Sequence, residues 1–263
     1  MINKDMKKTK IIATLGPASS SRETMIEMIK EGVDVFRINF SHADYDLVKK
    51  NVELIRSINK EYGFNTAILG DLQGPKLRVG VVKEGSFINP GDILTFTNEN
   101  VEGDASRVYM TYERFAKDVK VGERILIDDG KLVFEVIETN QKDIVKAKAI
   151  QGGPLSSKKG VNLPNTAISL PALTEKDIED AKFMLDNEFD WIALSFVRHA
   201  KDIEDLKELI KAHTTEDIPI IAKIEKPEAL ANIDEIIANC QGLMVARGDL
   251  GVEIPAEEVP VLQ

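Results

Sequence analysis

The chain has 263 residues, 43% of them hydrophobic and 30% charged, and a formal net charge of −10. This composition predicts a soluble globular protein, and the negative charge argues against nucleic acid as its main partner. The single cysteine, Cys240, excludes an internal disulfide and fits a reducing compartment. Because Met1–Lys10 lacks the apolar core of a signal peptide and no apolar segment could span a membrane, we expect a cytoplasmic protein without a membrane partner.

Strand and helix patterns alternate at the start of the chain and again after Pro171. The first predicted elements are strand Lys10–Leu15, helix Arg22–Lys30, strand Val33–Asn39, helix Ala43–Tyr62 and strand Thr66–Asp71. From about Lys76 to Asn165 the pattern changes to period-2 segments, such as Leu132–Ile137 and Asp143–Ile150, that are separated by turn sequences. We interpret this stretch as a small β-barrel domain inserted into a larger α/β domain.

The later elements repeat the strand–helix unit. They are helix Thr174–Asn187, strand Trp191–Val197, helix Ala200–Ala212, strand Ile218–Ile224, helix Pro227–Cys240 and strand Leu243–Ala246. Repeated units of this kind predict a TIM-type (β/α)8 barrel. The six strands outside the insert are too few to close it, so we expect a truncated barrel rather than the alternative, an open α/β sheet. The predicted domains are residues 1–74 and 171–263 for the barrel and 75–170 for the insert.

The strongest functional signal lies at the ends of the last two predicted strands. Lys223 and Glu225 share a face by alternation, and the apolar strand Leu243–Ala246, typical of a strand covered on both faces, leads to Gly248 and Asp249. Two carboxylates suit a magnesium ion that keeps waters and takes substrate oxygens, and a lysine suits negative charge on a phosphate or an enolate. The alternative, a Lys223–Glu225 ion pair on a solvated face, does not explain why charges appear only at strand ends.

The second strand ends in another polar group. Arg37, Asn39 and Ser41 share a face by alternation, so the arginine can hold phosphate oxygens while the amide and hydroxyl coordinate a cation. The alternative is a strand end that only caps the next helix, through Ser41 or Asp44. For His42, local hydrogen bonding is an equally good interpretation.

Further candidates surround the insert. Gly74-Pro75 is a predicted hinge, Arg78 beyond it can reach a phosphate, and Lys159 either clamps nucleotide phosphates or belongs to a solvated charge run. Ser195 and Arg198 follow the fourth strand and either cap a helix or contact substrate. Five candidates fall at carboxyl ends of strands, the face that holds the active site in such barrels: Arg37, Asp71, Lys223, Glu225 and Asp249.

These motifs resemble those of the pyruvate kinase family along the whole chain. The matching segments are Ile12–Ser19, Arg37–His42, Lys158–Pro164, Ser169–Asp177, Lys223–Glu225 and Val245–Pro255. The resemblance implies a (β/α)8 barrel with an inserted β-barrel lid, followed by a regulatory domain outside these residues, in a homotetramer. It also implies transfer of the phosphoryl group of phosphoenolpyruvate to ADP in glycolysis, giving pyruvate and ATP, with Mg²⁺ or Mn²⁺.

The resemblance further implies a role for each matching residue. Glu225 and Asp249 would hold the divalent ion, and Lys223 and Arg37 would act on the transferring phosphoryl group. Substrate would contact Arg37, Lys223, Gly248 and Asp249, and the nucleotide would contact Arg78, Lys159 and His42. The allosteric effector, the nucleotide preference and the proton donor are not determined by this sequence.

One departure from the family concerns potassium. Many members bind it through side chains that match Asn39, Ser41 and Asp71 and through the carbonyl at Leu72, and they carry threonine, lysine and glutamate where this chain has Leu72, Gln73 and Lys76. The ammonium of Lys76 can supply the charge that potassium otherwise provides. We therefore expect an enzyme that does not require potassium; the alternative is that Lys76 is a solvent-facing hinge residue.

Two other functions are compatible with these motifs. A metal-dependent pyruvate aldolase or lyase also stabilises an enolate, although such enzymes lack the lid and the nucleotide-facing Arg78 and Lys159. A non-catalytic fragment is the second alternative. We expect the isolated 263-residue chain to be inactive and prone to instability or oligomerisation, because an open barrel exposes apolar edges.

Overall fold

The computed structural model describes residues 8–263, so most of the polar amino-terminal stretch, residues 1–7, lies outside the described part. The chain folds into two compact units. The first contains the described residues up to Gly74 together with Ala172–Ile224 and Asn232–Met244, and the second contains Pro75–Pro171, Glu225–Ala231 and Val245–Gln263. Within the described range, the helices are either too short or too polar to cross a bilayer.

The elements follow the predicted alternation closely. In chain order the strands are β1 Ile12–Thr14, β2 Val35–Asn39, β3 Ala67–Asp71, β4 Phe87–Ile88, β5 Ile93–Thr97, β6 Arg107–Tyr109, β7 Arg124–Ile127, β8 Leu132–Thr139, β9 Ile144–Gln151, β10 Gly153–Pro154, β11 Val161–Asn162, β12 Trp191–Leu194, β13 Ile220–Ile224 and β14 Gly242–Val245. The helices are α1 Arg22–Lys30, α2 Tyr45–Tyr62, α3 Phe115–Asp118, α4 Glu175–Asp186, α5 Ala200–His213, α6 Pro227–Ala231, α7 Ile233–Asn239, α8 Arg247–Glu253 and α9 Val259–Leu262. Short 3-10 turns cover Pro17–Ser19 and Phe40–His42.

The main sheet has the strand order β1-β2-β3-β12-β13-β14, with parallel pairing from β1 through β13. This is the order of a (β/α)8 barrel over its first six strands, which confirms the predicted fold class. The register places Arg37 opposite Thr14 and Leu69, and Asn39 opposite Asp71. Because the strands are parallel, their carboxyl ends lie at one edge of the sheet.

Local sequence signals determine where the helices begin. Ser21 caps α1 and Asp44 caps α2, each by accepting a hydrogen bond from a backbone N–H of the first turn. Thr174 caps α4 in a reciprocal capping box with Asp177. Apolar residues at helical spacing then bury one face of each long helix, as in α2, where Val48, Val52, Ile55 and Ile58 are buried.

Three predicted elements are wrong in detail. The helix predicted over Pro227–Cys240 is two helices, because Asn232 leaves the helical conformation and its side chain donates to the carbonyl of Arg198 at 2.9 Å. The strand predicted over Trp191–Val197 ends at Leu194, since Phe196 adopts a left-handed φ of 55°. The expectation that β14 is covered on both faces also fails: Leu243 is 40% exposed because β14 is the edge strand of its sheet.

The β-rich stretch of the second unit forms a sheet with the order β11-β7-β8-β9-β5-β6. Its pairings are antiparallel except for β5 with β6. Phe96 packs edge-on against Phe115 and Phe134 at the centre of a buried apolar cluster. The predicted turn at Asp128-Asp129-Gly130 joins β7 to β8 with positive φ at all three residues. The segments predicted from their period-2 patterns, Leu132–Ile137 and Asp143–Ile150, correspond to β8 and β9.

Substituting Gly74 by alanine is expected to destabilise the protein by roughly 2–4 kcal/mol. Gly74 has a φ of 70°, and a Cβ there would lie 2.8 Å from Phe196 Cδ2 and 3.1 Å from Ser195 Cβ. Thermal or urea unfolding measures the effect. Gly63→Ala is the matched control, because Gly63 has a similar φ of 67° but nothing within 4 Å of the added Cβ. Equal losses for the two variants would show that the contacts at Gly74 contribute nothing.

Candidate active site

A buried carboxylate joins two cationic side chains at the carboxyl edge of the main sheet. Arg37, within β2, donates from Nε to Asp71 Oδ2 at 2.7 Å, and its Nη2 forms an ion pair with the same oxygen. Arg37 Nη1 also donates to Thr14 Oγ1 at 2.9 Å. Asp71, at the end of β3, is only 1% exposed. The guanidinium is therefore held in one orientation from β1 and β3.

The second cation is Lys223 on β13, whose side chain is buried. Its ammonium donates to Ser195 Oγ at 2.7 Å and lies 3.3 Å from Asp71 Oδ1. Asp71 Oδ1 accepts no hydrogen bond from the described residues, so its contact with Lys223 is an ion pair without hydrogen-bond alignment. Asp71 thus orients two cationic groups at this edge of the sheet, and oriented cationic groups suit an anionic ligand.

The neighbouring turn holds the other residues predicted on the second strand. Asn39 Oδ1 accepts from the backbone N–H of Ser41 at 2.9 Å, and Ser41 lies in the 3-10 turn Phe40–His42. The prediction that Arg37, Asn39 and Ser41 share a strand face is therefore wrong for Ser41, because the chain leaves the extended conformation at Phe40. His42 ends the same turn and is exposed.

The start of α4 forms hydrogen bonds with the turn after β2 and with the segment after β3. The sequence did not predict these contacts. Lys176 Nζ donates to the carbonyl of Phe40 at 2.8 Å and forms an ion pair with Asp180. Asp177, fully buried, accepts from the backbone N–H of Gly74 at 3.0 Å through Oδ1 and from Thr174 through Oδ2. The capping pattern of α4 was visible in the sequence, but these contacts with distant backbone were not. Leu72, just before Gly74, is also buried, and its N–H donates to the carbonyl of Ala193 at 3.0 Å.

Three further predicted residues belong to the second unit. Glu225 directly follows β13 and is 2% exposed, whereas Gly248 and Asp249 lie exposed in the first turn of α8. No cluster of three or more His, Cys, Asp or Glu side chains suited to a metal exists among the described residues. Glu225 and Asp249 nevertheless offer carboxylate oxygens, the donor type of Mg²⁺, which commonly binds one or two protein carboxylates together with water and substrate oxygens.

The predicted nucleotide-contacting residues have partners within the second unit. Arg78 Nη1 donates to the carbonyl of Lys158 at 2.8 Å. Asp128 pairs with Lys131 and with Lys159, each at 3.0 Å, and hydrogen bonds from these two ammonium groups lower the pKa of Asp128. Lys159 is therefore oriented by a carboxylate rather than freely solvated. Lys76 is exposed.

Comparison with known proteins agrees with this architecture. The family profile described as pyruvate kinase, barrel domain, matches residues 6–263. The chain is 45% identical to a pyruvate kinase of Corynebacterium efficiens, over 98% of this chain and 54% of that protein. It is 47% identical to pyruvate kinase 2 of a Synechocystis strain and 44% identical to a pyruvate kinase of Clostridium perfringens, covering 44% and 55% of those proteins. The chain belongs to the pyruvate kinase family and spans about half the length of these relatives.

Proposed function

We propose that the full-length protein transfers the phosphoryl group of phosphoenolpyruvate to ADP, giving pyruvate and ATP. The observation that carries this proposal is the cluster in which Asp71 holds Arg37 and Lys223. Its two cationic groups suit both the phosphate of the substrate and the enolate that remains after transfer. Little covalent chemistry is required of the protein, so positioning and charge neutralisation account for most of the catalysis.

Each cation of the cluster has a distinct role in this proposal. Arg37 binds phosphoryl oxygens through the part of its guanidinium that Asp71 and Thr14 leave open; its side chain is 26% exposed. Lys223, fixed by Ser195 and Asp71, neutralises the transferring phosphoryl group and the developing enolate. Both groups are pre-oriented before substrate binds, which reduces the reorganisation that the reaction requires.

Glu225 and Asp249 are the proposed ligands of a divalent cation, Mg²⁺ or Mn²⁺. When bound, such an ion would supply positive charge that stabilises the anionic oxygens of the substrate. Gly248 offers backbone to the substrate, and Arg78, Lys159 and His42 contact the nucleotide. Residues 75–170 form the inserted lid domain, between barrel segments 1–74 and 171–263. We further propose a cytoplasmic homotetramer.

Potassium independence is part of the proposal. It is supported by the sequence, which has Leu72, Gln73 and Lys76 where potassium-dependent relatives carry other residues. If Lys76 replaces potassium, Lys76→Glu will make activity depend on added potassium. A variant that is equally active with and without potassium would contradict this role.

The test of the function is ATP formation from phosphoenolpyruvate and ADP by the full-length protein, with Mg²⁺ in potassium-free buffer. Rapid turnover supports both the kinase and its potassium independence. Activity that appears only with potassium supports the kinase and overturns the role of Lys76. No activity under either condition overturns the kinase assignment and favours a metal-dependent aldolase or lyase of pyruvate.

Replacing Gly248 by alanine is expected to raise the KM for phosphoenolpyruvate about tenfold without lowering the melting temperature. Nothing lies within 4 Å of a Cβ added at Gly248, so the fold itself does not require glycine there. Alanine is also the better helix former, by roughly 0.5–1 kcal/mol in a helix interior. Gly251→Ala on the same helix is the matched control and is expected to leave the KM unchanged. A normal KM for Gly248→Ala would exclude close approach of substrate to this backbone.

A further inference from the structure

A polar trio in the second unit has no role in the proposed function; Lys226 and Glu253 are buried in it, and Asn162 is half-buried. Lys226 Nζ donates to Glu253 Oε1 at 2.7 Å, and Asn162 Nδ2 donates to the same oxygen at 2.8 Å. The side chains of Lys226 and Glu253 are only 5% and 1% exposed. Burial of an ion pair is costly, so this pair is a weak source of stability.

The positions of these residues in the chain relate them to the two proposed metal ligands. Lys226 directly follows Glu225, the first of the two proposed metal ligands. Glu253 lies on α8 four residues after Asp249, the second proposed ligand, which is about one helical turn away. The ion pair thus joins the segment that carries one carboxylate to the helix that carries the other. Asn162, a residue of β11, connects this strand to the ion pair through its hydrogen bond to Glu253.

We propose that Lys226 and Glu253 are positioning residues that fix the separation of Glu225 and Asp249 for a divalent cation, and that Asn162 holds this arrangement. The inference rests on the proposed function, specifically on metal binding by these two carboxylates. A chelating pair must be held within about 0.5 Å of its productive geometry. Asp249 lies exposed near the start of a seven-residue helix, so the position of that helix decides where its carboxylate stands.

Replacing Lys226 by methionine distinguishes a positioning role from a charge effect, because the two predict opposite changes in the affinity for a divalent cation. If Lys226 acts only through its charge, removing that positive charge would tighten the binding of a cation by the proposed ligands Glu225 and Asp249. Loss of the ion pair releases α8 from the segment after β13 and weakens binding. A decrease in affinity therefore identifies positioning, and an increase identifies a charge effect.

The experiment measures Mn²⁺ binding to the full-length protein by electron paramagnetic resonance, without nucleotide or phosphoenolpyruvate. We expect Lys226→Met to raise the Kd for Mn²⁺ ten- to a hundredfold, the range found when outer-shell partners of metal ligands are removed. Lys226→Arg restores most of the affinity. Asn162→Ala changes no charge and is expected to raise the Kd at least threefold, which provides a second test if Lys226→Met does not fold.

Matched variants separate this inference from the proposed metal site and from general destabilisation. Arg56→Met removes an ion pair with Asp190, at 2.9 Å in the first unit, and is expected to lower the melting temperature without changing Mn²⁺ affinity. Glu225→Gln abolishes binding if the metal site is correct. Normal affinity in Lys226→Met and Asn162→Ala, with binding lost in Glu225→Gln, overturns the positioning role alone. Normal affinity in Glu225→Gln and Asp249→Asn overturns the metal site, and the inference with it.

Discussion

Replacing Lys223 by methionine is expected to lower kcat for phosphoryl transfer by about a hundred- to a thousandfold in the full-length protein. Methionine fills a similar volume but removes the only charge that Lys223 contributes to the cluster. Arg37 still pairs with Asp71, so the carboxylate is not left without a cation. The effect is therefore expected mainly in kcat, with a smaller change in the KM for phosphoenolpyruvate, and steady-state kinetics separates the two.

Two variants serve as controls for this prediction. Ser195→Ala removes the hydrogen bond to Lys223 but keeps its charge, and we expect a loss of at most about tenfold. Lys182→Met removes an exposed lysine on α4 and should leave kcat unchanged. A Lys223→Met enzyme that turns over within tenfold of the unmodified protein would show that this ammonium does not stabilise the transition state.

Replacing Asp71 by asparagine is expected to destabilise the protein by roughly 3–5 kcal/mol and to abolish most of its activity. The change keeps the shape of the side chain but leaves Lys223 and Arg37 without the carboxylate that neutralises them. Lys223 is 8% exposed, so water compensates little for the loss. Urea or thermal unfolding measures the stability, and the KM for phosphoenolpyruvate reports the loss of orientation at Arg37.

Asp128→Asn is the matched control, because Asp128 also pairs with two cations. Its side chain is 19% exposed, against 2% for Asp71, and its partners Lys131 and Lys159 are more exposed still. We expect Asp128→Asn to cost about 0–1 kcal/mol, as usual for surface ion pairs. Similar losses of stability in the two variants would contradict the view that burial makes Asp71 critical.

Most of the fold was predictable because its determinants are local in the chain. The boundaries of α1 are those predicted from the serine run and the apolar spacing, and β8 and β9 follow their period-2 patterns. The parallel sheet followed from the repetition of strand–helix units. Local signals failed where a distant group decides the conformation, as at Asn232, whose contact with the carbonyl of Arg198 accompanies a break between two helices.

The sequence by itself determined which chemistry is available: it placed Arg37, Asp71 and Lys223 at strand ends, on the edge where barrels carry their sites. Only the tertiary structure decided that one carboxylate holds both cations, and that Asn162 joins the buried ion pair of Lys226 and Glu253. The physical reason is that periodicity and capping act over a few neighbouring residues. Side-chain contacts, in contrast, depend on strand register and packing between segments far apart in the chain, about which a single sequence carries no local signal.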